Sequence, residues 1–141
     1  MEQFAAVDDA LLQQVGDLAS TTPDTFVLVA RGAVATDTEL DLVDLAPSTI
    51  RVRWGTDRSV TYLSTGQFLD LWCAELASDA DATFGLLRAS LVTGEPVPMH
   101  VRDPRIVGSG LRWTITRRDG WLPHESGSCV LVLNPPERPL A

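Results

Sequence analysis

Twice in this chain, arginine and large apolar residues alternate strictly. Ile50-Arg51-Val52-Arg53-Trp54 and Leu111-Arg112-Trp113-Thr114-Ile115 each place every second side chain on one face. Only an extended strand with one buried and one wet face satisfies a period of two, so these runs commit the chain to a sheet. Gly55-Thr56-Asp57-Arg58 turns the first run into Val60-Thr61-Tyr62-Leu63, a hairpin partner. Phe26-Val27-Leu28-Val29-Ala30 is continuously apolar between turn residues and reads as a strand buried on both faces. Leu40, Leu42 and Leu45 alternate with aspartates, and Cys129 to Leu133 is a closing strand. Pro96 and Pro98 weaken the strand Val97 to Arg102, which is expected at an edge.

Between these runs the period shifts toward 3.6. Phe4, Val7, Leu11, Val15 and Leu18 form the stripe of an amphipathic helix over 4–19, ended by Thr21-Thr22-Pro23. Ser64-Thr65-Gly66-Gln67 has the form of a capping box and opens a helix through Phe68, Leu71, Trp72 and Leu76. Ser78-Asp79-Ala80-Asp81 recaps a second helix with Phe84, Leu87 and Leu91 on one face. Asp103-Pro104-Arg105 is expected to turn the chain, and Asp119-Gly120 to form a two-residue hairpin turn. The expected fold is therefore α+β. It is a single domain over 1–141, with six or seven mostly antiparallel strands, an N-terminal helix and a central helix pair on one face, and an extended tail over 134–141. The alternative is a strongly curled or closed β-barrel with helices. The helix–strands–helix–strands order resembles small acidic secretion-chaperone domains in topology alone, which transfers no residue roles.

Composition narrows the chemistry. Among 141 residues there is no lysine, which excludes a Schiff-base or P-loop lysine. The net charge of −8 is concentrated at the front: residues 1–50 hold nine acids against Arg31, while 51–141 hold ten acids and ten arginines. An acidic front speaks against binding to nucleic acid or an anionic membrane and favours a basic protein partner. Asp37, Glu39, Asp41 and Asp44 are the expected contact residues.

A second reading places an aromatic-lined pocket between sheet and helices, as in a small-molecule binder or a cyclase or isomerase of secondary metabolism. Trp54, Tyr62, Trp72 and Trp113 would line it, with Arg53, Arg112 or His100 as polar handle. Arg51, Arg53 and Arg112 would form a guanidinium row if their hairpins lay side by side.

Other constellations carry little. Cys73 and Cys129 lack metal or redox spacing and are expected as buried, reduced thiols. His100 and His124 lie in no HExxH or HxH pattern, so neither metal nor cofactor is expected. Gly108-Ser109-Gly110 is a turn or bulge rather than a phosphate cradle. No basic-then-apolar leader and no apolar run of 18 residues is present, so a cytoplasmic protein is expected. An apolar edge strand makes a homodimer an expectation as well.

Overall fold

The computed structural model describes residues 24–53, 59–73, 80–88 and 91–134. Nine strands follow in chain order: β1 Asp24–Ala35, β2 Glu39–Leu45, β3 Ser48–Arg53, β4 Ser59–Ser64, β5 Ala80–Arg88, β6 Leu91–Val107, β7 Gly110–Arg118, β8 Glu125–Ser126 and β9 Cys129–Asn134. Among the described residues one short helix, α1 (Thr65–Leu71), lies between β4 and β5. The α+β expectation is thereby corrected: the described residues are a mostly antiparallel sheet with one short helix. The helix expected over 4–19 lies outside the described residues, as does Trp54. With the helix pair absent, the order of elements behind the chaperone likeness is not found.

The sheet curls on itself. Its path runs β2-β7-β6-β5-β9-β1, and β1 then pairs with β2 through Ala30–Leu45 to Ala35–Leu40, so six strands close a ring. Closure removes free edges along the ring. β1 is long enough to serve both purposes: its first half pairs with β9 and β3, and its second half with β2 and β8. The β3–β4 hairpin extends the sheet sideways from the start of β1.

Both faces of β1 are apolar for a reason. Phe26, Leu28 and Ala30 enter the main core with Leu40, Leu42, Leu111, Trp113, Leu131 and Leu133. Val27 belongs to a second cluster with Ile50, Val52, Val130 and Val132. The continuous apolar run reflects burial on both sides, as a central strand requires.

Residues 80–88 form β5, where the second helix was expected. Ala80, Ala82 and Phe84 are buried in alternation with Asp81 and Thr83, a period-two pattern that coexists with the helical spacing of Phe84 and Leu87. Two neighbouring strands, β9 and β6, supply ladders on both sides and decide between them. Gly85 also weakens a helix by about 1 kcal/mol relative to alanine.

The capping box at α1 is present. The Ser64 hydroxyl accepts from Gln67 N at 3.1 Å, and Ser64 N donates to Gln67 Oε1 at 2.9 Å. The helix sends Phe68 and Trp72 into the ring where β1 begins, with the Phe68 ring tilted against that of Phe26 at 5.5 Å between centroids.

β6 is far longer than the short edge strand expected. Pairing with β7 starts only at Met99, so over Leu91–Pro98 its described partner is β5 alone. Pro96 and Pro98 sit on that one-sided stretch, where a missing N–H breaks no second ladder. Asp103-Pro104-Arg105 is no turn either: the β6–β7 register slips by one residue there, and Asp103 takes φ 54°. The true reversal is Gly108-Ser109, closing onto Gly110. A Cβ on Gly110 would collide with the carbonyl oxygen of Leu42, so β2 and β7 approach closely only over glycine.

Candidate functional site

Two irregularities meet at the end of the ring where β1 finishes. The first is in β6. Phe84 pairs with Val97 but Leu86 pairs with Thr93, so two residue steps on β5 face four on β6. Gly94-Glu95-Pro96 is pushed out of the ladder, with Gly94 at φ 69°. The second is the connection 119–124. Asp119-Gly120 does not make a two-residue hairpin, because β7 ends at Arg118 and β8 begins only at Glu125.

That connection is pinned at three points. Asp119 N donates to Pro98 O at 2.9 Å, and Ala35 N donates to His124 O at 2.8 Å. Between them Leu122 is buried in the main core. Leu122 points inward while its neighbour Trp121 faces outward. Trp121 is 78% exposed, the most exposed large apolar side chain among the described residues.

Beside Trp121 lies a recess of about 390 Å³, within the usual range for ligand sites. Phe84, Leu86, Pro96, Val97 and Pro123 give it apolar walls, and Glu95 and Asp119 add two carboxylates. A second, more polar recess of about 270 Å³ adjoins it and shares Asp119. Asp81 and His100 are direct cross-strand partners there, with Nε2 of His100 3.0 Å from Oδ1 of Asp81. Arg117 lies 3.6 Å from the Asp119 carboxylate, and Asn134 is buried at the recess wall.

No family model, curated protein sequence or solved structure matches this chain.

The residues singled out from sequence are scattered around the ring. Glu39, Asp41 and Asp44 already have internal partners. Arg112 forks onto Asp41 at 2.6 and 2.9 Å, Arg105 reaches Glu39 at 2.7 Å, and Ser109 donates to Asp44 at 2.7 Å. The carboxylate of Asp41 holds the Arg112 guanidinium above its ordinary value. Asp37 touches Arg118 only loosely, at 3.7 Å. Glu39 and Asp41 thus serve first to tie β2 to β6 and β7, and Asp44 ties it to the turn between them.

The aromatic residues divide in the same way. Trp72 and Trp113 meet edge to face at 5.1 Å in the main core, with Phe68 against both. Tyr62 stands exposed on β4. The polar handles are apart: Arg53 and Arg51 share Asp24 at 3.0 and 3.1 Å, Arg112 is on β7 and His100 on β6. β1 and β2 lie between β3 and β7, so the arginines form no common row.

Cys129 is buried as expected, and burial pushes its thiol up to about 12. Cys73, expected buried, is exposed. Among the described residues no group of three or more His, Cys, Asp or Glu side chains is placed to hold a metal, and no helix is long and apolar enough to cross a membrane.

Sequence reasoning missed the groove. A signal existed in the run Asp119-Gly120-Trp121-Leu122-Pro123, where a tryptophan sits between turn-formers rather than inside a periodic segment.

Proposed function

We propose that this protein is an interaction module that binds a basic segment of a protein partner in the groove beside Trp121. The observation that carries this reading is the exposed indole on a loop pinned at three points, next to an apolar recess with two carboxylates. Tryptophan is enriched among the residues that dominate interface energetics. A loop already fixed by Pro98, Leu122 and Ala35 loses little further entropy on binding, so more of the contact energy appears as affinity.

The charge of the groove selects the partner. Glu95 and Asp119 are both exposed, and an arginine stem would lie along Trp121 while its guanidinium reached a carboxylate. Trp121 would supply the apolar contact and Glu95 and Asp119 the steering. This keeps the basic partner suggested by the acidic composition and moves its docking site from β2 to the loop before β8.

The test is calorimetric titration with short synthetic peptides that join one arginine to one leucine. Trp121→Ala is expected to weaken binding at least tenfold. Glu95→Gln combined with Asp119→Asn should weaken it less and flatten its salt dependence. Absence of binding at millimolar peptide, or equal binding by Trp121→Ala, would overturn the reading.

A further inference from the structure

The recess beside Trp121 does not end at Asp119. That residue lines both recesses, and its backbone N–H is fixed to Pro98 on the strand that runs under them both. β6 contributes Thr93 to Val97 to the first recess and Pro98 to His100 to the second. Apolar walls therefore give way, along one strand, to Asp81, His100, Arg117 and Asn134.

Resting on the groove reading above, we infer that the bound segment is extended and bipartite. One basic side chain lies on Trp121 between Glu95 and Asp119. A second, about four residues away, is held by Asp81. From Glu95 to His100, β6 advances five residues, at most roughly 16 Å at about 3.3 Å per residue. Two long arginine side chains on an extended segment, four residues apart, bridge that distance.

The second recess can accept a cation although it contains Arg117 and His100. Of the described residues that line it, Asp81 and Asp119 are acidic, Arg117 is basic, and the His100 ring nitrogen occupies Oδ1 of Asp81. A carboxylate offers about four acceptor positions, and one imidazole uses one of them. The Arg117–Asp119 contact, at 3.6 Å and largely exposed, is too long for a well-made hydrogen bond and holds little energy. An incoming guanidinium displaces Arg117 outward at small cost. Joining two modest contacts on one chain raises affinity through effective concentration without a new kind of contact.

The experiment compares three acetylated peptides in a glycine–serine background: one arginine, two adjacent arginines, and two arginines four positions apart. The widely spaced peptide should bind the intact protein about tenfold more tightly than either of the others. Asp81→Asn, an isosteric change at an exposed side chain, should erase that advantage and leave the single-arginine peptide unaffected. Equal affinity for all three peptides, with Trp121→Ala weakening each, would overturn the bipartite inference while the groove reading stands. Equal binding of all three by Trp121→Ala would overturn both. The spacing comparison in the unmodified protein needs no variant to fold.

Discussion

His124 and Ala35 hold each other twice. The amide of Ala35 donates to the carbonyl of His124 at 2.8 Å, and the ring Nδ1 of His124 lies 2.8 Å from the carbonyl of Ala35. A carbonyl only accepts, so Nδ1 carries the proton in this contact. The pair fastens the end of the Trp121 loop to the end of β1, and it explains how a six-residue connection can present an exposed indole without disordering.

His124→Ala should therefore act on the loop more than on the barrel. We expect a global stability loss of about 0.5–1.5 kcal/mol, the net worth of one hydrogen bond. Amide exchange should accelerate at Ala35 and through 119–124 while β9 stays protected. Unchanged exchange at Ala35 would show that the side-chain contact does not hold the loop.

The two cysteines should separate cleanly. Cys73 is exposed, whereas Cys129 is fully buried and kept protonated because burial raises its thiol to about 12. Thiolate is the reactive form, so a neutral disulfide reagent should titrate one thiol rapidly in the native protein and the second only after denaturant is added. Rapid modification of both would contradict the packing around β9.

How far the sequence was legible follows from which forces act locally. Strict alternation around Arg51 and Arg112 marks β3 and β7, because one wet face is written directly into a strand. The Ser64–Gln67 cap is likewise local and was readable. β5 was not, because Ala80, Ala82 and Phe84 alternate while Phe84, Leu87 and Leu91 also fit a helix. The choice is made by pairing with β6, which follows it directly, and with β9, which is distant in sequence. The groove needs a register slip between β5 and β6 and a loop from after β7, and no local pattern brings those together. Pairing of Asp41 with Arg112 depends on the same long-range register, so the acids of β2 looked free for a partner.

Gly110 gives a sharp test of that register. Its missing side chain lets β7 lie against the Leu42 carbonyl of β2, a contact that any Cβ would occupy. Relief requires moving backbone rather than a side chain, so Gly110→Ala should cost more than about 3 kcal/mol or prevent folding. Gly127→Ala, where nothing lies within 4 Å of the added carbon, is the matched control and should be nearly neutral. Thermal unfolding of both variants decides the point.

Asp24 links the sheet to pH. Burial alone would raise its carboxyl, but the hydrogen bonds and charges of Arg51 and Arg53 outweigh burial and hold it below the ordinary value of 3.8. A group whose value is depressed by folding stabilises the native state while it is ionised in both states. That contribution is complete above the ordinary value and is lost as pH falls below it through the folded value. The protein should thus lose stability below about pH 4, in part through this residue, at the point where β1 meets β3. Asp24→Asn should be less stable at pH 7 and show a shallower loss between pH 4 and pH 2. Urea midpoints at pH 7, 4 and 2.5 measure both effects. Parallel acid limbs for the two proteins would mean that the Asp24 carboxylate contributes nothing to the closure of β3 onto β1.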